Sequence, residues 1–251
     1  MQPSIKGGQC LNCQNGLTGA YCSACGQPAR TDRITFGETI RTYLSSAFLI
    51  EGKYLVTIRR LITNPGRLYR EYLGGKRASY YKPIAFFILN TAIYILIRAL
   101  LDYDPLEGRF DNTDVDQSPD ALQYTEKAAR FMVNNINYIL FTLVFAIGVS
   151  FKLLYRKRYY LAEYIAVGFY ISGLYILSSI AVMLIITLTG TEVSSLQLLL
   201  LLLLLLYSYL SFIRPLTFIT VLKGIAGSLI SLALYMLFSF GLSFLFVLLG
   251  A

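Results

Sequence analysis

Along residues 83–251 polar positions are sparse, and five windows are almost continuously apolar: 83–101, 135–155, 161–190, 194–213 and 224–250. A helix that crosses the hydrocarbon of a bilayer needs about 20 such residues. The pattern therefore predicts an all-α integral membrane protein with about five transmembrane helices. The third window is long enough to tilt, and the fifth carries no charge. Residues 198–206 are nine consecutive leucines, which read as a lipid-facing span. The polar segment 102–134 holds a helix candidate, ALQYTEKAARFMVNNI, introduced by Ser118-Pro119-Asp120 and able to run on into the second span.

The first 82 residues are patterned differently. Apolar positions Phe36, Ile40, Tyr43, Leu44, Ala47 and Phe48 recur at helical spacing, and residues 54–62 (YLVTIRRLI) have a similar mix. Asn64 then offers an N-cap and Pro65 a first helical position. The helix they start, GRLYREYL, should stop at Gly74-Gly75. Helices with arginine on one side and Leu, Tyr or Phe on the other suit a membrane surface. Three regions result: 1–30, a cysteine knuckle; 31–82, basic amphipathic interfacial helices; and 83–251, the spans.

Charge orients this arrangement. The chain has 251 residues, 56% of them hydrophobic, and a net charge of +8. The first 82 residues hold 12 of the 22 Lys and Arg but 4 of the 14 acids, whereas residues 102–134 hold 8 acids and 3 bases. By the positive-inside rule the N-terminal region is cytoplasmic and the acidic loop outside. Arg156, Lys157 and Arg158 return the chain to the cytoplasm, Glu192 lies outside, and Arg214 and Lys223 mark the last cytoplasmic loop, leaving the C-terminus outside. The first 30 residues contain no apolar run, so insertion into the inner (cytoplasmic) membrane is expected to be directed by an internal span.

That topology bears on the chemistry of CLNCQNGLTGAYCSACGQ. All four cysteines, Cys10, Cys13, Cys22 and Cys25, sit here as two C-x2-C pairs, and the chain has no histidine. A reducing compartment favours metal over disulfides. Four thiolates around zinc make a closed structural site without an open position for substrate, and the metal would supply much of the folding free energy of so small a unit. An iron centre or a redox dithiol pair would use the same ligands. Gly16, Gly19 and Gly26 suit the tight turns such a knuckle needs. Charges nearby are few (Lys6, Arg30, Asp32), which speaks against nucleic acid; the expected role of such a knuckle is docking, to a protein partner or to the chain's own membrane domain.

Two further groups of residues are candidates. Arg67, Arg70, Lys76, Arg77 and Lys82, with Tyr80 and Tyr81 as an aromatic belt, place cations at headgroup depth. They serve either as a topology anchor or as a pocket for anionic lipid or a phosphate-bearing ligand. Asn90, Thr91 and Glu163 are polar within or at the edge of spans, where polar groups are costly. Glu163 is expected to pair with Arg156–Arg158, Arg98 to snorkel or to pair with Asp102 or Asp104, and Lys152 to snorkel. Small residues at Gly168, Ser172, Gly173, Gly224, Gly227, Ser228 and Ser231 provide surfaces for close helix–helix packing, and the spans as a whole could anchor the chain as a homo-oligomer.

The ordered series CxxC…CxxCGQ, NPGRLYREYLGGKRASYYKP and a multi-span region resembles a bacterial membrane-protein family of unknown function with an N-terminal four-cysteine zinc ribbon. The resemblance covers most of residues 10–170. In that family a Glu-His pair and further histidines open the third span; here Glu163-Tyr164, Tyr170 and Ser172 stand at those positions, so a histidine metal site does not carry over. The resemblance implies a class of protein and no activity.

Three functions follow as expectations. A membrane scaffold or adaptor requires only what is visible and leads. A transporter or channel would run a path past Asn90, Thr91 and Glu163, yet no internal repeat supports one. A membrane enzyme acting on a lipid or phosphate-bearing substrate would use the basic stretch, but no catalytic constellation accompanies it.

Overall fold

The computed structural model describes residues 8–10, 13–25, 29, 52–77, 79–106, 120–156, 158–190, 196–213 and 217–249. The helix expected at 36–48, Gly26, Ser118-Pro119, Lys157, Glu192 and Arg214 lie outside the described residues. Two compact units are present, Met1–Leu49 and Ile50–Ala251. Among the described residues regular structure is all helical. The eight helices are α1 (Gly52–Thr63), α2 (Pro65–Leu73), α3 (Pro83–Leu100), α4 (Asp120–Asn134), α5 (Ile136–Leu154), α6 (Leu161–Thr189), α7 (Leu196–Phe212) and α8 (Phe218–Leu248).

Helix ends obey local chemistry. The Asn64 side chain accepts from the Arg67 amide and Pro65 follows at the first helical position, as the sequence predicts for α2. Gly74 ends α2, and Gly75, at φ 104°, takes the left-handed turn that only glycine adopts without strain. The acidic-loop helix does not continue smoothly into the next. It breaks at Asn135, and the axes of α4 and α5 differ by 91°.

Each of the five apolar windows contains one helix. Three of these, α3, α6 and α8, are individually long and apolar enough to cross a membrane, and a fourth crossing is available if α4 and α5 count as one bent span. Helix α7 is shorter, 17 residues, or about 26 Å at 1.5 Å per residue. Its leucines are not uniformly outward: Leu201 and Leu205 are buried and share a face with Tyr209 and Phe212, while Leu198, Leu199 and Leu203 are exposed. Helix α8 starts at Phe218 rather than near Gly224, which puts Lys223 inside the helix instead of in the preceding loop.

In the helical unit α6 is central, packing against α1, α3, α5 and α7. Close approach depends on small residues. A Cβ on Gly168 would meet the Val144 carbonyl at 2.6 Å, so alanine there would push α5 from α6. Gly173 faces Phe86, Gly224 faces Leu210 and Gly227 faces the Tyr209 ring, in keeping with the packing role expected of them. The core is aromatic: Phe151 and Tyr209 stack at 3.9 Å between centroids, and the Tyr209 hydroxyl reaches Ser150 at 2.8 Å and Ser231 at 3.0 Å. Helix α8 instead leaves Leu222, Leu229, Leu237 and Phe238 exposed, an apolar surface that fits hydrocarbon better than water.

Helices α1 and α2 belong to this packing. Leu61, Leu68 and Tyr69 are fully buried, and α2 lies against α7. Tyr80 and Tyr81 are also buried, so they are core residues and not an exposed aromatic belt. Tyr81 meets Tyr54 edge-on at 5.6 Å and its amide donates to the Thr57 hydroxyl. The outer side of α1 keeps Leu55, Val56 and Ile62 exposed beside Arg59, a mixture suited to an interface.

Candidate metal centre and cationic groove

In the N-terminal unit the chain reverses at each C-x2-C pair. The Gln14 amide donates to the Cys10 carbonyl, the Cys10 amide to the Asn15 carbonyl, and the Leu17 amide to the Gly8 carbonyl. Left-handed backbone occurs at Gly8 (φ 55°) and Gln14 (φ 60°), not at Gly16 or Gly19 where it was expected. No sequence signal marks Gln14, since glutamine is not a residue that seeks that conformation.

These turns bring four sulfurs together. All lie within 4.8 Å of one another, with Cys10–Cys25 and Cys13–Cys22 each at 3.5 Å. A tetrahedron of thiolates on zinc has edges of about 3.8 Å, given bonds of about 2.3 Å. The spacing fits one metal ion with no room left for a substrate among the ligands. Cys10 and Cys22 are buried, Cys13 and Cys25 exposed. Backbone amides of Cys25 and Ala24 point at the Cys22 sulfur and lower its pKa. At Cys13 the Asn15 amide has the same effect, but the crowded Cys25 and Cys22 side chains outweigh it and push the thiol up to about 12. Four thiolates at this spacing repel one another unless a cation sits between them. The four cysteines can hold a metal ion.

In the helical unit the five basic candidates separate into three environments. Arg67 Nε and Lys76 Nζ both reach Glu71, at 2.7 and 3.0 Å, and the Tyr80 hydroxyl donates to the same carboxylate at 2.6 Å. Three donors, Tyr80 foremost, hold the Glu71 carboxyl down to about 2. Tyr80 in turn is pushed up to about 12 by burial and by the carboxylate beside it. Sequence reasoning missed Glu71; its i, i+4 spacing from Arg67 was the available signal.

Arg70 has a different task. Its Nη1 donates to the carbonyls of Ser211 and Phe212 at 2.8 and 2.9 Å, satisfying the end of α7. Gly66 sits against the same segment and donates to Ser211 Oγ at 3.0 Å. Arg77 lies over the Tyr72 ring at 5.8 Å. With Lys82 it lines a groove of about 600 Å³ whose walls are Pro83, Ile84, Ala85 and Ile88. A second groove, of about 460 Å³, lies along α1 between Val56, Arg59, Arg60 and Thr63, residues not singled out by sequence.

The three polar candidates of the spans do not converge. Asn90 is fully buried and its Oδ1 accepts from the Tyr54 hydroxyl at 2.6 Å, while its Nδ2 has no partner. Thr91 donates to the Phe87 carbonyl of its own helix. Glu163 accepts from the Tyr160 amide at 2.7 Å, capping α6 rather than pairing with the neighbouring arginines. Arg98 likewise binds carbonyls, of Tyr103 and Val133, and not Asp102 or Asp104. Lys152 donates to the carbonyls of Arg156 and Tyr159.

A family model described as "Protein of unknown function (DUF3667)" matches residues 51–95, which hold α1, α2 and the first part of α3. No curated protein and no solved structure matches the chain.

Proposed function

We propose that the chain is an integral membrane scaffold or adaptor, its helical unit embedded in the bilayer and its N-terminal unit folded around one structural zinc in the cytoplasm. The observation that carries this reading is the closure of the cysteine cluster, whose four sulfurs lie within 4.8 Å of one another. Such a site stabilises a surface and offers no open coordination position for chemistry. The polar groups of the helical unit support the same reading, because Tyr209, Ser150, Ser231, Arg70 and Glu163 spend their hydrogen bonds on the protein itself. The positive-inside pattern supports an inward N-terminus and an outward C-terminus.

The test is metal analysis with X-ray absorption on the untagged full chain purified from membranes. About one zinc per chain with four sulfur neighbours near 2.3 Å is expected. Cys22→Ser should drop the content below about half an equivalent. Iron in place of zinc, or a reversible Cys10–Cys25 disulfide, would replace the structural reading with a redox one.

A further inference from the structure

The five cations of residues 67–82 are not equivalent, and the difference selects a ligand. Arg67 and Lys76 share ion pairs with the one carboxylate of Glu71, and Arg70 is spent on two carbonyls. Arg77 and Lys82 are exposed and in no ion pair among the described residues, and no carboxylate lines the groove they share. The Tyr72 ring steadies the Arg77 guanidinium without cancelling its charge.

Below these cations the groove turns apolar. Ile84 and Ile88 lie four residues apart on one face of α3 and are 54% and 53% exposed. That helix is itself long and apolar enough to cross a membrane. The first turn of α3 has no side-chain cap at Lys82, which leaves its amide dipoles adding to the positive potential at the groove's upper end. Positive charge above an apolar wall, with no acid to receive an ammonium, matches a net-negative phospholipid and not a zwitterionic one.

We propose that this groove binds one anionic glycerophospholipid, its phosphodiester between Arg77 and Lys82 and an acyl chain along Ile84 and Ile88. The site deepens the scaffold reading and rests on its premise that the helical unit lies in a bilayer. Arg77 and Lys82 here are ligands for a lipid phosphate, whereas Arg67, Arg70 and Lys76 hold the fold.

Native mass spectrometry of the full chain, extracted in mild detergent and offered equal phosphatidylglycerol and phosphatidylcholine, tests this. One phosphatidylglycerol per chain should be retained with roughly thirtyfold preference, the scale set by two cations near the surface. Arg77→Ala with Lys82→Ala should bring the preference to within about twofold at unchanged melting temperature. Arg77→Lys should keep it, and so should Arg59→Ala with Arg60→Ala. Ile84→Asn should weaken phosphatidylglycerol retention. Equal retention of both lipids, persistence of the preference in the Arg77/Lys82 variant, or full displacement of lipid by millimolar inorganic phosphate would each overturn the proposal. Carbonate washing of membranes separates the two readings: a chain that stays inserted but shows no preference refutes the groove alone, and a chain that washes off refutes both.

Discussion

Replacing Gly66 with alanine tests the seam that ties α2 to α7. A Cβ there would lie 1.8 Å from the Ser211 carbonyl oxygen, 2.1 Å from its carbon and 2.6 Å from the Phe212 nitrogen. All three are backbone atoms, so no rotamer change relieves the clash and α2 must retreat by about 1 Å or more. Overpacking of this kind costs about 1–3 kcal/mol. The retreat also strains the Gly66–Ser211 bond and the two Arg70 bonds to Ser211 and Phe212. Hydrogen bonds from a charged donor are worth about 1.5–3 kcal/mol each. Against these stands the gain in helix propensity from Gly to Ala, about 1 kcal/mol. The clash wins, by about 2–5 kcal/mol net. On the scale of about 2–4 °C per kcal/mol, the melting temperature followed by circular dichroism at 222 nm should fall by at least about 4 °C. Gly241→Ala, on α8 with open space around its Cβ position, is the control and should be neutral or slightly stabilising. A Gly66→Ala protein that melts within about 1 °C of the wild type would refute the close seam.

Other predictions follow from the same contacts. Arg70→Ala should lower stability by about 3–6 kcal/mol, and Arg70→Lys should recover only part, since the shorter lysine side chain does not carry its ammonium out to the Nη1 position that reaches both carbonyls; paired thermal melts decide. Glu71 has its folded-state pKa depressed to about 2 from an ordinary 4.5. Its pairing therefore contributes stability that is full above about pH 4.5 and is lost as pH falls from there toward 2. The melting-temperature gap between wild type and Glu71→Gln should be constant from about pH 6 to 8 and close below about 4.5; a gap that widens in acid would contradict this. Tyr54→Phe should cost about 1–3 kcal/mol by stranding the buried Asn90 carbonyl oxygen. Adding Asn90→Leu should recover part of that, which a double-mutant melting cycle measures.

The local features were legible in the sequence. Asn64, Pro65 and Gly74-Gly75 set the limits of α2 through capping and backbone freedom, and each of the apolar windows contains a helix. The C-x2-C pairs likewise announced a cluster, because each pair turns two sulfurs the same way within a few residues. What could not be read was which neighbour covers which face. Arg70 looks like another basic residue near a membrane until α7, over 140 positions later, ends beside it. Tyr80 and Tyr81 look like interfacial rings, yet Glu71 and Tyr54 draw them inward. The apolar pattern also runs past Asn135 without showing the 91° bend there, since periodicity reports a helical face and not the direction of the next axis. Charge pattern alone likewise did not separate Arg77 and Lys82 from the cations already spent on Glu71 and α7.

The adaptor reading is tested most directly by photo-crosslinking from the N-terminal unit in native membranes. Tyr21, 67% exposed and next to Cys22, is the position for a photoreactive phenylalanine analogue in the membrane-inserted chain. A discrete protein adduct that disappears on adding Cys22→Ser, while the chain remains membrane-inserted, is the predicted result. An adduct pattern indifferent to loss of the cysteine cluster would contradict it.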